Sequence, residues 1–148
     1  MSTSFDDLSI GDTINGPTFE VSRESIRLFC DGSLDYNPLH LDDEYMKNSF
    51  GKTSFGGIIM HGMTNFGLIT RMLTDWAYAA GAIQRRLETR WLKPVKPGDT
   101  IQPVGVVKSK QSTQKSRWVL IDVLVRNQSG EHVAAGEAMV EFPPSIAA

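Results

Sequence analysis

Residues 62–81 read GMTNFGLITRMLTDWAYAAG, and this stretch decides the fold. Its apolar side chains recur at steps of three and four residues, which is the spacing of an α-helix. Arg71 and Asp75 are the charged exceptions in a helix that is apolar on nearly every side, and such a helix is a buried one. Gly81 is a suitable residue to end it. The sequence therefore predicts one long buried helix around which the rest of the chain packs.

The chain beyond Gly81 changes to a period of about two residues, which predicts strands. Strands rich in Val and Ile are expected at 83–92, 100–108, 116–126 and 131–142, with turns at 94–99 and 127–130. A sheet of consecutive antiparallel strands has a face to cover, and the long helix is the element apolar enough to cover it. The predicted fold class is α+β, an antiparallel sheet wrapped around a central helix, which is the hot-dog arrangement.

Such a small sheet leaves its edges and one flank of the helix exposed. We therefore expect a homodimer, with a higher homo-oligomer as the alternative. One domain is expected over residues 1–148.

The region before the long helix combines short helices and loops. Ser22 is the expected N-cap of a first helix that ends around Gly32. Asp42 or Asp43 can cap a second, short helix. Residues 51–57, GKTSFGG, are expected to form a flexible loop, since glycine tolerates unusual backbone angles.

A carboxylate and an imidazole stand close together in DYNPLH, residues 35–40. The Asn37-Pro38 pair between them cannot continue a helix, because proline lacks an N–H and keeps the preceding residue out of the α region. This fixed turn can aim Asp35 and His40 at one spot. Further on, Gly62 opens the long helix, whose free N–H groups and dipole suit a developing oxyanion. An acid–base pair followed by an anion site is a catalytic layout.

Composition excludes several classes of protein. The net charge of -2 gives no general basic field for nucleic acid. No apolar run approaches the roughly 20 residues that span a bilayer, and the acidic N-terminus does not resemble a secretory signal. The single Cys30 cannot form an intrachain disulfide, and its apolar surroundings favour a buried structural thiol. We expect a cytoplasmic protein that binds neither nucleic acid nor membranes.

Three segments together resemble one known family. DYNPLH (35–40), FGGIIMHGM (55–63) and LKPVKPGDTI (92–101) are similar to the MaoC-like dehydratases, the (R)-specific enoyl-CoA hydratase group of the hot-dog superfamily. The resemblance spans residues 8–142, nearly the whole chain. It implies a homodimer, or a related double hot-dog pair, that acts on acyl thioesters of coenzyme A or acyl carrier protein.

The resemblance also implies roles for individual residues. Asp35 and His40 match the family's catalytic pair, and Gly62 matches the glycine whose N–H binds the thioester carbonyl oxygen. Asn37 matches the asparagine that supports the turn, and we expect His61 to support the loop before the helix. One position departs from the family, because Gly67 stands where several members carry a serine. Thr64 and Asn65 are the alternative polar groups there, unless Gly67 serves to widen the acyl pocket.

The implied reaction is hydration of a 2-enoyl thioester to the (R)-3-hydroxyacyl thioester. The pair would deprotonate a water and return a proton to C2, with Asp35 the favoured base. No metal or redox cofactor is expected, since the thioester already acidifies the α-carbon. The rival functions are a hot-dog thioesterase, against which the NPLH turn argues, and a non-catalytic acyl-CoA-binding subunit, against which retention of Asp35 and His40 argues.

Each candidate residue also has a structural interpretation. Asp35 could merely cap a turn and His40 could be a satisfied core histidine. A metal site from Asp35, His40 and His61 lacks the usual ligand spacing, and His132, after a hairpin turn, is expected to face solvent. Basic side chains in the strand region could meet coenzyme A phosphates or simply form a solvated surface: Lys93, Lys96, Lys108, Lys110, Lys115 and Arg117.

Overall fold

We analysed a computed structural model of the chain, which describes residues 3–48 and 55–144, except for the side chain of Asn48. Within these described residues the three helices are α1 (Arg23–Ser33), α2 (Asp43–Asn48) and α3 (Gly62–Ala77). The six strands of the described part of the chain are β1 (Thr13–Asn15), β2 (Phe19–Glu20), β3 (Ile83–Trp91), β4 (Thr100–Ser112), β5 (Arg117–Asn127) and β6 (His132–Phe142). Single 3₁₀ turns lie at Pro38–His40 and Tyr78–Ala80.

All strand pairs are antiparallel and belong to one six-stranded sheet. The strand order is β1-β4-β5-β6-β3, and β2 also pairs with β4. One face of β5 presents a row of fully buried residues to the core, including Val119, Ile121 and Val125. Helix α3 packs against this face, so the predicted α+β arrangement of a sheet wrapped around a central helix is confirmed.

Helix α3 is buried along one side. Its buried residues recur at helical steps and are Asn65, Leu68, Ile69, Met72, Leu73 and Ala77. The sequence predicted burial on nearly every side, but Met63, Gly67 and Thr74 are exposed in addition to the charged exceptions Arg71 and Asp75. The reason is that one sheet can cover only one side of a helix. After Ala77 the backbone tightens into the 3₁₀ turn, and Gly81 ends it in the left-handed conformation, with a φ of 71°.

Helix α1 begins at the predicted cap. The Ser22 side chain accepts a hydrogen bond of 3.0 Å from the Ser25 N–H, and the Ser25 hydroxyl accepts one from the Ser22 N–H. Such a capping box satisfies two N–H groups that a helix start otherwise leaves free. The helix ends one residue later than predicted, at Ser33, and Leu34 rather than Gly32 takes the left-handed turn, with a φ of 61°.

Strand β4 is four residues longer at its C-terminal end than predicted (Ser112 against residue 108). The segment SKQS looks like a turn because it is polar, yet residues 109–112 pair with residues 117–120 of β5. A bulge between Val107 and Ser109 shifts the register there, and such bulges re-aim the side chains that follow. The Lys110 ammonium then donates to the Leu8 carbonyl at 2.7 Å, which holds the N-terminal segment on the sheet.

The predicted loop at 51–57 is described only from Phe55 onward, and residues 51–54 lie outside the described residues. Gly56 and Gly57 have φ values of 73° and 156°, as glycine permits. Within the described residues, no helix is long and apolar enough to cross a membrane.

Candidate active site

The turn that carries Asp35 and His40 is held by its own side chains. The Asn37 side-chain oxygen accepts from the Leu39 N–H at 3.1 Å and caps the 3₁₀ turn Pro38–His40. Asp35 Oδ1 accepts from the Asn37 N–H at 3.2 Å. Asn37 has a ψ of 130°, the extended conformation that a following proline imposes. Asn37 thus stabilises this turn through its side chain.

His40 is buried, and its Nδ1 lies 2.7 Å from the carbonyl oxygen of Ile59. A carbonyl oxygen can only accept a hydrogen bond, so the Nδ1 of His40 carries the hydrogen. The neutral ring then has its lone pair on Nε2. This fixed tautomer gives the imidazole a free basic nitrogen, which is what general base catalysis or water binding needs.

Asp35 lies beside the two histidines but reaches solvent, since 54% of its side chain is exposed. Ligand atoms of Asp35, His40 and His61 all lie within 4.8 Å of one another. One water molecule can bridge two polar groups at such a separation. The structure therefore brings together the carboxylate and the imidazole that the sequence singled out.

His61 packs between these residues and the core. Its ring is 2% exposed, stacks on His40 with centroids 3.6 Å apart, and lies 4.6 Å from the Phe29 ring. Its Nε2 donates to the Asp35 carbonyl oxygen at 3.2 Å and lies 3.7 Å from the Cys30 sulfur. Burial lowers the pKa of His61, and the neighbouring His40 lowers it further against an opposing effect of the Asp35 contact.

A neutral His61 therefore touches both members of the pair. Its Nδ1 is buried and has no hydrogen-bond partner in the described structure. The sequence identified His61 as a support for the loop but gave no sign of the stack on His40. The buried Cys30 thiol, whose pKa burial raises, agrees with the structural interpretation of this residue.

The stacked rings do not suit a metal ion. A metal bound to imidazole nitrogen lies in the ring plane, about 2 Å from the nitrogen. The planes of His40 and His61 are inclined by only 21° and separated by a ring-stacking distance. Two nearly parallel planes meet far beyond a bond length, so these two histidines do not converge on one metal.

A cavity of about 470 Å³ opens beside His40 and reaches the N-terminus of α3, and Asp35 is not among the residues that line it. His40, Gly62 and Asn65 supply polar groups to its wall, and Ile59 and Met60 are among its apolar residues. Gly62 is the first residue of α3, where backbone N–H groups lack helical partners. The cavity wall thus includes both His40 and Gly62, the two residues to which the sequence analysis gave a base and an oxyanion role.

Trp91 is a wall of this cavity that sequence reasoning missed. A Cβ placed on Gly62 would lie 2.6 Å from the Trp91 indole, so glycine is required for this close approach. Trp91 is the last residue of β3, immediately before the LKPVKPGD segment. That position was the only feature of the sequence that could have indicated its place in the cavity wall. Gly67, by contrast, is exposed in the single chain and has open space around it.

Several basic residues of the strand region are engaged by protein groups. Lys93 pairs with Glu131, and Lys108 bonds Asp122 and Glu137 at 3.1 and 2.9 Å. Arg117 bonds Asp6 at 3.3 Å, and Lys110 bonds the Leu8 carbonyl. Lys93 is the one of these that also lines the cavity.

Comparison with known proteins assigns the chain to one family. The sequence matches the MaoC like domain over residues 7–128. This chain belongs to the MaoC-like family of hydratases and dehydratases. The resemblance carried by DYNPLH and HGM is thereby confirmed.

Individual MaoC-like relatives cover most of the chain. An "(R)-specific enoyl-CoA hydratase" of Rhodospirillum rubrum is 30% identical over 123 residues, 83% of this chain and 81% of the relative. A "3-hydroxybutyryl-CoA dehydratase" of Methylorubrum extorquens is 29% identical over 139 residues, 94% of this chain and 83% of the relative. The unliganded R-hydratase PhaJ1 of Pseudomonas aeruginosa is 29% identical, with a TM-score of 0.81 over 95% of this chain and 86% of that one.

Proposed function

We propose that this MaoC-like protein reversibly hydrates trans-2-enoyl-CoA to (R)-3-hydroxyacyl-CoA. One observation carries the proposal. The hydrogen bond between His40 Nδ1 and the Ile59 carbonyl leaves Nε2 as the basic nitrogen of the ring, and a ligand atom of His40 lies within 4.8 Å of one on Asp35. His40 also lines a cavity that reaches Gly62 at the N-terminus of α3. The relatives named for enoyl-CoA hydration and hydroxyacyl-CoA dehydration support the same substrate class.

The proposed chemistry follows from these groups. A water between Asp35 and His40 loses a proton to the pair while its oxygen bonds to C3. The C2–C3 π electrons move toward the thioester, and C2 receives a proton from the pair. The enolate-like oxygen that develops is stabilised by the Gly62 N–H and the α3 dipole. Acid–base catalysis of this kind contributes about 10²–10⁴-fold, and an oxyanion donor about 10²–10³-fold.

The assembly that we propose is a homodimer formed through β3 and the exposed flank of α3. β3 pairs only with β6 among the described strands, so its other edge is open. Exposed apolar residues line this edge and the adjoining flank: Met63, Tyr78, Ile83 and Trp91. A second copy of the chain on this surface would both pair the free edge and bury these side chains.

The proposal is tested by incubating the purified protein with crotonyl-CoA. Loss of the enoyl absorbance, with the product identified as (R)-3-hydroxybutyryl-CoA, is the expected result. Free thiol is measured in the same samples, because a thioesterase would release it and a hydratase would not. Hydrolysis of the thioester also removes the enoyl-thioester absorbance, so an absorbance loss matched by free thiol, with no 3-hydroxybutyryl-CoA formed, would contradict the proposal. The (S)-alcohol as product would contradict its stereochemistry.

A further inference from the structure

Asn65 is a buried polar residue that the fold leaves unsatisfied. It lies on the inner side of α3 and is only 2% exposed. Its Oδ1 has no hydrogen-bond partner in the described part of the chain. A buried acceptor left without a donor is destabilising, because it has lost its hydrogen bonds to water. Such a residue points to a partner that arrives with a ligand.

The position of Asn65 directs its side chain into the cavity. Helical side chains lean toward the N-terminus, so a residue three positions after Gly62 covers the first turn of α3. Asn65 lines the same cavity as His40 and Gly62. Thr64 also has a buried, unpartnered hydroxyl, but it is not part of the cavity wall. Of the two polar residues that could replace the family's serine, Asn65 is thus the one that faces the ligand space.

The chemistry of hydration supplies the missing donor. A water molecule has two hydrogens, and addition to C3 removes only one of them. The Asp35–His40 pair accepts the hydrogen that leaves as a proton. The second hydrogen stays on the oxygen and becomes the hydrogen of the product hydroxyl, so it needs a separate acceptor to orient the water. A carboxamide oxygen accepts such a hydrogen bond but does not take up a proton at neutral pH.

We propose that Asn65 is a substrate-binding residue whose Oδ1 accepts a hydrogen bond from the water that adds to C3, and from the hydroxyl that this water becomes. This inference rests on the proposed hydratase function. It assigns the retained hydrogen to Asn65 and the departing proton to Asp35 and His40. In the reverse direction, the same contact orients the 3-hydroxyl as a leaving group.

The main test is the variant Asn65→Leu, which keeps the approximate shape and removes the polar group. We expect kcat for crotonyl-CoA to fall at least about 10-fold with KM changed less than about threefold, because the contact orients water rather than the acyl chain. The melting temperature should stay equal or rise, since an unpartnered buried carbonyl is removed. A residue with a merely structural role would lose stability and activity together.

Gln84 offers a matched control. Its Oε1 is also buried and unpartnered, but it faces a separate cavity of only about 50 Å³ lined by Leu73 and Tyr78. Gln84→Met should leave kcat unchanged and stability equal or higher. Asn65→Ala repeats the test if the leucine variant fails to fold. An Asn65 variant that folds and keeps kcat within about twofold of the wild type would overturn the inference.

Failure of the proposed function is distinguishable from failure of this inference. If the wild type does not hydrate crotonyl-CoA, it does not turn over (R)-3-hydroxybutyryl-CoA either. Calorimetry can then compare the affinity for (R)-3-hydroxybutyryl-CoA with the affinity for butyryl-CoA. Tighter binding of the hydroxy ligand by the wild type, lost in Asn65→Leu, would support the contact. Equal binding of both ligands by the wild type, or no binding of either, would overturn it.

Discussion

His61 is the residue that ties the two catalytic candidates together, and its protonation should govern stability in acid. Its pKa lies below the ordinary value near 6.5 because the ring is buried and stacks on His40. The folded protein therefore resists protonation of His61 while the unfolded chain accepts it. Stability is fully present above the unfolded pKa and is lost as the pH falls below about 6.5.

We predict that the melting temperature of the wild type decreases between pH 7.5 and pH 5.5, and that His61→Gln decreases less. Glutamine keeps an N–H that can donate to the Asp35 carbonyl, so the loss of the titrating ring is isolated. The exposed His132 provides the control, and His132→Gln should keep the wild-type dependence on pH. Thermal melts across this range measure the effect, and an unchanged slope in His61→Gln would count against the assignment.

Gly62 is set by its contact with Trp91 as well as by its place at the helix start. A Cβ on residue 62 would lie 2.6 Å from the indole, so Gly62→Ala should displace the ring and shift the N–H that faces the cavity. We predict a lower melting temperature and at least about 10-fold lower hydration activity. Combining Gly62→Ala with Trp91→Val should restore part of the stability, by a coupling energy of about 1 kcal/mol. Strict additivity of the two changes would refute the contact as the cause.

At the scale of the elements, the pairing of β3 with β6 depends on one small residue. A Cβ on Gly136 would lie 1.8 Å from the Glu88 carbonyl oxygen, which belongs to the backbone and cannot rotate away. Gly136→Ala should therefore destabilise the protein by about 3 kcal/mol or more. Denaturant titration with circular dichroism measures the change.

Gly32 is the matched control for this substitution. It lies in the last turn of α1, a Cβ on it would meet nothing within 4 Å outside the helix backbone, and its backbone is not left-handed. Gly32→Ala should raise stability by about 0.5–1 kcal/mol, because alanine favours a helix interior over glycine. Similar losses in both variants would show that the close approach at Gly136 does not hold the sheet.

The elements that the sequence predicted are those that local chemistry determines. Pro38 fixes the turn between Asp35 and His40, Ser22 caps α1, and the spacing of Leu68, Met72 and Leu73 identifies α3. The polar extension of β4 was missed because its pairing with β5, rather than its own propensity, makes it a strand.

The site shows the same division between local and distant determinants. Asp35 and His40 are five residues apart, so a local motif reveals them. The stack of His61 on His40 and the contact of Trp91 with Gly62 join distant parts of the chain, and no spacing rule predicts them. The unpartnered Oδ1 of Asn65 is a property of the packed core and became visible only with its surroundings.

At the scale of the whole molecule, the exposed flank of α3 predicts how two copies meet. Gly67 and Gly32 are both exposed helical glycines with nothing near their Cα atoms, so a lysine at either site should leave the single chain folded. Only Gly67 lies on the flank that we assign to the dimer. Gly67→Lys should therefore give the mass of one 16.4 kDa chain by light scattering, while the wild type and Gly32→Lys give twice that mass. A dimer that survives Gly67→Lys would place the interface elsewhere.

We propose that Asp35 and His40 activate one water for addition to an enoyl thioester. The decisive measurement is the rate of crotonyl-CoA hydration by Asp35→Asn and by His40→Ala, each compared with the rate of the wild type. The comparison requires that each variant has the same melting temperature as the wild type. We predict a loss of at least about 10²-fold in each variant, with little further loss when both are combined, because the two groups act on the same water. Hydration at the wild-type rate by either folded variant would contradict the role of Asp35 and His40 in activating the water.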